Sequence, residues 1–430
     1  MHAKHPTDPV PADPRPGDPV PGDFRPADGS SAERGARRRL PLDPLDWIGI
    51  GFFVAGCAAV ATGLLPVAEA EHTVRRIGPL LVFLGTVIIL AELTAKAEVF
   101  DVVAAWLARL GRGRYPVLFA LCVVFATAVT AALNLDTTAV LLTPVMLALG
   151  RRLDVPQLPF AMTTVWLANT ASLLLPVSNL TNLLAADRVD LTAVEFAARM
   201  ALPELASVLA TAGCLWLFYW RRKRRGADSY QPPDRHVPPD RVLFRVAAAA
   251  CALFVVLVLV GVALEIAAPA CAVLVVAAYV WRDRAALRWS LLPWRLLVMV
   301  TGLFLVVDTV SGLGLSDLLA TLVGSGSDTA GVARVTAAGA VLSNLVNNLP
   351  AYVAVEAVVP PEGHTALLGL LLGVNVGPIV APWASVATLL WYERCRSGGV
   401  TVSWGRFVLT GAVTAVLALT ASLGALLLVS

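Results

Sequence analysis

Apolar residues run along the chain in blocks close to the roughly 20 residues that a helix needs to cross a ~30 Å hydrocarbon core. Seven blocks read as ordinary spans, at 47–66, 78–95, 201–220, 246–264, 267–281, 296–312 and 407–428. Four others, 115–150, 158–186, 331–360 and 364–392, are longer than one crossing requires, and each carries Asn, Asp, Ser, Thr, Gly or Pro near its middle. The pattern predicts an all-α polytopic membrane protein. Residues 1–46 hold ten of the 29 prolines in a Pro/Asp/Gly pattern. They offer too little apolar surface to offset the entropy of ordering, so a disordered tail is expected there. The first apolar run begins only at Trp47, too late for a cleavable signal, and is expected to stay as a span.

Positive charge orients these blocks. Arg37, Arg38 and Arg39 place the N-terminus in the cytoplasm, and two spans bring the chain back to Lys96–Arg114. Arg112 and Arg114 flank one end of 115–150, and Arg151 and Arg152 flank the other, so this stretch is expected to be a re-entrant hairpin with its tip at Asn134-Leu135-Asp136. Stretch 158–186 then crosses outward with a break at 176–179, and 201–220 returns to the basic run Arg221–Arg225. In the second half Arg282, Arg284, Arg288 and Arg295 lie inside, and 331–360 forms a second hairpin entered from outside. The broken span 364–392 ends inside at Glu393–Arg396, and the last span leaves the C-terminus outside. The expectation is nine crossings and two hairpins, divided into a cytoplasmic tail (1–46), a first repeat (47–220), a cytoplasmic linker (221–245) and a second repeat with one extra span (246–430).

Polar positions recur between the halves. Glu92 and Asp101 are nine apart, as are Asp308 and Asp317; Asn169 and Pro176 are seven apart, as are Asn375 and Pro382. At the same offset of 206, Leu183-Leu184 matches Leu389-Leu390. Because each half starts on the opposite side, the pattern predicts inverted repeats, the architecture of many secondary transporters, with a ligand site at their interface. Irregular backbone at membrane depth persists only where protein or a wet cavity encloses it. The candidate substrate groups are therefore Asn134, Asp136, Thr137 and Thr138 at the first tip, Asn169, Ser178, Asn179 and Asn182 at the first break, Ser343, Asn344, Asn347 and Asn348 at the second tip, and Asn375, Gly377 and Ser385 at the second break. Single small polar positions such as Ser172 are equally explained as contacts between packed helices.

Composition narrows the chemistry. Charged residues are 15% of the chain, against roughly a quarter in soluble proteins, and mean hydropathy is +0.75. A net charge of +3, scattered along the chain, does not suit nucleic acid. The six cysteines are isolated and read as small core residues. Zincin, P-loop and nucleophile-elbow signatures are absent, so neither an enzyme nor a bound metal or cofactor is expected. Three carboxylates, Glu92, Asp136 and Asp308, are placed at membrane depth, where an ionised carboxylate is costly and a proton can be loaded and released. Glu92 has Lys96 four residues on as a helical partner. Asp308 has no partner nearby in sequence, so Asp136 ranks first and Asp308 second as proton-linked groups.

The motifs LDTTAVLLTP (135–144), VSNLTNLLAAD (177–187), SNLVNNLP (343–350) and GPIVAP with SVATLLW (377–382, 385–391) resemble those of the arsenite and antimonite efflux permeases of the ion transporter superfamily, over about 47–428. The resemblance implies two inverted repeats with re-entrant hairpins in the cell membrane. It also implies proton-driven export of trivalent metalloid hydroxide, in some systems assisted by a cytoplasmic ATPase. The chain departs from that family at Asn169 and Asn375, where Asp is frequent, and at Ile379, where Lys occurs. Sodium/proton exchange and dicarboxylate transport belong to the same superfamily. A dianion would meet Asp136 with no Lys or Arg in the four clusters, whereas amides and hydroxyls suit a neutral hydroxyl-rich ligand. Capture of As(III) by thiolates would need about three neighbouring cysteines, so oxygen and amide contacts are expected.

Overall fold

The computed structural model describes residues 44–429 except 190, 222–228, 235, 316–318, 320, 322–327 and 361–362. The tail expected at 1–46 lies outside the described residues up to 43; Pro44 already opens the first helix. Helices α1 (Pro44–Ala61), α2 (Val67–Lys96) and α3 (Val99–Leu110) lead into α4 (Tyr115–Leu133), α5 (Leu135–Arg152), α6 (Leu158–Thr170), α7 (Leu180–Arg188) and α8 (Ala193–Leu215), the last continued by a wide turn over Trp216–Trp220. Then come α9 (Arg241–Leu259), α10 (Leu264–Arg282) and α11 (Trp294–Val310). The final set is α12 (Thr329–Val346), α13 (Asn348–Glu356), α14 (His364–Val376), α15 (Val386–Ser397) and α16 (Trp404–Val429). Eight of the described helices are long and apolar enough to cross a membrane.

Set α12–α16 repeats set α4–α8. Helices α6 and α14 both have 13 residues and start 206 positions apart, and each is followed by a break and a short helix capped by a polar side chain, Asn179 or Ser385. Three helices long and apolar enough to span, α9, α10 and α11, separate the two sets, an odd number that inverts the second against the first. Packing follows the same relation: α1 lies on α11 as α10 lies on α2, and α8 lies on α16.

Both hairpins are visible in the contacts. Arg152, at the end of α5, pairs at 3.1 Å with Asp101 at the start of α3, the helix that leads directly into α4, so the chain has returned to where it entered. In the second set, a Cβ on Gly369 would meet Val332, one on Gly373 would meet the Thr336 carbonyl at 2.3 Å, and one on Gly377 would meet Ala340. The register rises together, so α12 and α14 run parallel and α13 must carry the chain back between them. Gly373 admits no side chain at that distance. The spacing Gly369-Gly373-Gly377 is the small-residue ridge that lets membrane helices approach closely.

Several boundaries differ from expectation. Helix α2 begins at Val67, eleven residues before its apolar run, and this polar extension carries an exposed Glu71–Arg75 pair at 2.6 Å. Thr192 and Glu195 cap each other reciprocally and start α8 at Ala193 rather than 201. Segment 96–114, read only as cytoplasmic, forms the amphipathic helix α3. Linker residue Tyr230 docks on it, donating to the Ala108 carbonyl at 2.6 Å. Asp240 caps α9, where the Leu243 and Val242 N–H groups and the Arg282 guanidinium hold its carboxyl below the ordinary range. Cys122, Cys214, Cys271 and Cys395 are buried as expected, Cys251 is half-buried and Cys57 is exposed.

Charges gather at the two ends of the bundle. At one end Asp46 of α1 pairs with Arg295 of α11 at 2.6 Å and with Arg396 of α15 at 3.0 Å. Beside them Glu92 pairs with Arg394 at 2.9 Å. Glu92 is therefore not held by Lys96, whose Nζ donates instead to the Ala286 carbonyl at 2.7 Å. The arginine pattern assigns all four of these helix ends to one side. At the other end Asp308 accepts from Thr73 Oγ1 and pairs with Arg76 at 3.2 Å, so it does have a partner, 232 residues away in sequence. Arg394 is 3% exposed, and Arg394→Ala leaves Glu92 without its guanidinium partner. This variant is expected to lose about 3 kcal/mol and Glu92→Leu/Arg394→Leu to recover part of that. A thermal midpoint for Arg394→Ala equal to the parent's would contradict it.

Candidate substrate site

The two hairpin tips share a backbone conformation. Asn134 has φ 127° and ψ 170°, and Asn347, 213 residues later, has φ 97°. These values lie in a region that is nearly glycine-only and costs of order 1–3 kcal/mol for other residues. Side-chain bonds hold both tips. Asn134 Oδ1 accepts from Thr137 N at 2.8 Å, and Thr138 Oγ1 donates to the Asn134 carbonyl at 2.8 Å. Asn347 Nδ2 donates to the Trp383 carbonyl at 2.9 Å, and Asn348 N donates to Ala384 O at 2.9 Å. The second tip is thus tied to the second break. Asn344 binds the same break twice, donating to Gly377 O and accepting from Ala381 N, both at 2.9 Å.

The first break is closed by its own residues and by neighbours. Asn182 Nδ2 donates to the Ser172 and Leu175 carbonyls at 2.7 and 3.0 Å. Ser178 Oγ donates to Ala131 O at 2.8 Å, tying the break to the first hairpin. Ser207 of α8 donates to the Thr170 carbonyl at 2.9 Å, and Leu173 N donates to Glu204 Oε2 at 2.8 Å.

The repeats meet at Asn375. Its Oδ1 accepts from Asn179 Nδ2 at 2.9 Å and Thr181 Oγ1 at 2.8 Å, while its Nδ2 donates to Asn182 Oδ1 at 2.7 Å. All four side chains are buried. The structure therefore joins Asn179, Asn182 and Asn375 directly, and it joins Asn344 and Asn347 to them through the second break. Asn169, the counterpart of Asn375, instead donates to Val165 O of its own helix, and its Oδ1 has no hydrogen-bond partner among the described residues. Ser385 pairs with Thr388 at 2.9 Å, Ser343 Oγ donates to Ala340 O, and Asn348 Oδ1 accepts from Leu349 N. Asp136, in the first turn of α5, is half-buried; its Oδ1 and Thr137 Oγ1 are likewise unpartnered among the described residues. Glu92 and Asp308 stand in the ion pairs at the ends of the bundle.

The sequence profile of the citrate transporter family (CitMHS) matches residues 46–388. The chain belongs to this family. It is a multi-pass secondary transporter, and the resemblance drawn from its motifs is borne out among its relatives. The arsenical pump membrane protein of Yersinia enterocolitica is 29% identical over 409 residues, covering 89% of this transporter and 94% of the relative. That of Escherichia coli K12 is 29% identical over 366 residues, covering 80% and 84%. The crystal structure of the Alcanivorax borkumensis YdaH transporter matches at 15% identity and a TM-score of 0.43, covering 88% of this chain and 96% of that one.

One residue of the transporter's break escaped the sequence reading. Glu204 lies near the middle of span 193–220 and is 5% exposed, and it is not among the three carboxylates that the sequence places at membrane depth. Its signal was present: Glu204, Ser207 and Thr211 stand at i, i+3 and i+7, a polar stripe in the apolar middle of the helix.

Proposed function

We propose that the transporter exports arsenite or antimonite as the neutral trihydroxide, in exchange for protons. What carries the proposal is the chemistry of the hub around Asn375, where amides and a hydroxyl meet with no cation. None of the four clusters contains Lys or Arg, and Ile379 at the second break is buried and apolar. A citrate or dicarboxylate anion would have no counter-charge here. A neutral ligand with three hydroxyls can both donate to amide oxygens and accept from amide nitrogens. The names of the arsenical pump relatives favour the same substrate. Asp136 serves as the proton-linked carboxyl, because it alone among Glu92, Asp136 and Asp308 stands at a tip and outside an ion pair.

Inverted vesicles loaded at low internal pH, without ATP, test the proposal. Arsenite and antimonite should accumulate, and sodium and succinate should not. Accumulation of succinate, or arsenite uptake indifferent to the pH gradient, would overturn it. The same reading places the N-terminus inside and the C-terminus outside the inner membrane. Reporters fused after residues 225 and 430 should then report opposite sides, and a common side would refute the nine-crossing topology.

A further inference from the structure

We propose that Glu204 is a second proton site, whose protonation loosens the first break and, through Asn182, the bond between the repeats. It extends the proton-coupled function above and rests on that reading only for its link to transport.

Four observations meet at this side chain. Glu204 is buried near the middle of a membrane span. Its Oε2 accepts the Leu173 N–H at 2.8 Å, with the Leu174 N–H alongside, where α6 has ended and the backbone has no helical partner. Its Oε1 has no hydrogen-bond partner among the described residues. Leu173 lies between the two carbonyls, Ser172 and Leu175, that Asn182 Nδ2 holds, and Asn182 Oδ1 accepts from Asn375. Thus one short chain of hydrogen bonds leads from the carboxyl to the contact between the repeats.

The charges around Glu204 are few. Helix α6 and the break 171–179 contain no ionisable side chain. Helix α16 carries only Arg406, which is engaged with the Phe218 carbonyl and the Tyr219 ring at the far end. On α8 itself Glu195 and Arg199 are exposed at its start, and Cys214 and Tyr219 lie two or more turns beyond. No cation on these elements fixes the carboxylate in its ionised state. A hydrogen bond to a carboxylate is roughly twice as strong as one to a neutral acceptor. A proton taken from water onto Oε1 therefore weakens the hold of Oε2 on Leu173, and its return to water restores it. The counterpart position, 206 residues on, is Thr410, bonded to Tyr219 Oη. Only the first break carries this carboxyl.

The full-length transporter in lipid vesicles supplies the test, first without arsenite. Infrared difference spectra across a pH titration should show a protonated-carboxyl band in the parent and in Asp136→Asn that is lost in Glu204→Gln. Hydrogen exchange over 171–182, corrected for the intrinsic pH effect, should rise on acidification in the parent and stay flat in Glu204→Gln. With arsenite, exchange at equal pH should persist in that variant while gradient-driven uptake falls about tenfold or more. If Glu204→Gln does not fold, Glu204→Asp must shift the infrared band. An unmoved band, or the same exchange profile in Glu204→Gln and parent, overturns the proposal. Failure of the parent to move arsenite would instead overturn the substrate reading, and the two arsenite-free measurements would still decide Glu204.

Discussion

Asn375→Leu is expected to abolish transport and to lower stability by about 3 kcal/mol, the scale of several buried polar groups left without partners. The side chains are close in volume, so little of the loss comes from packing. What the variant removes is three hydrogen bonds across the interface between repeats, stranding Asn179 Nδ2, Thr181 Oγ1 and Asn182 Oδ1. Asn169→Leu, at the counterpart position, removes one bond within a single helix. It should leave the thermal midpoint close to the parent's. Asn375→Asp separates charge from shape. Its carboxylate can accept from Asn179 and Thr181, but it can donate to Asn182 only when protonated, so vesicle uptake by this variant should rise as pH falls. Parent-level uptake by Asn375→Leu would remove the hub from the transport cycle.

The sequence carried the architecture because membrane folds are written in length and polarity. Blocks of apolar residues marked the spans, and the offset of 206 marked the repeat. Partners were less legible. Glu92 has Lys96 one turn away, and a local pair is the natural guess; burial of Arg394 decided otherwise, since an arginine enclosed by protein needs a compensating partner and Glu92 stands 2.9 Å from it. The pairing of Arg76 with Asp308 depends on how α2 crosses α11, which no local pattern encodes. The asymmetry between Asn169 and Asn375 was equally hidden. The two residues occupy matching positions with the same chemistry, and only the packed arrangement makes one a bridge and the other a side chain folded onto its own helix.

The second large effect is expected at Asp136. Asp136→Asn should retain arsenite exchange at equal pH while losing about tenfold or more of gradient-driven uptake. Two opposing influences act on this carboxyl. Its place in the first turn of α5, at the positive end of the helix dipole, favours its charge, while the apolar surroundings of a membrane helix make that charge costly. With neither influence reinforced by an ion pair, both protonation states stay within reach during alternating access. Glu92 and Asp308 differ in this respect, because each stands in an ion pair, with Arg394 and Arg76. Asp308→Asn should accordingly keep its dependence on the pH gradient, which removes Asp308 from the second place that sequence spacing gives it. The asparagine at position 136 keeps the shape of the tip and its capping by Asn134, so a loss there reports the proton rather than the fold. Full gradient-driven uptake by Asp136→Asn would show that the coupling acid lies elsewhere, and Glu204 is then the carboxyl left to carry it.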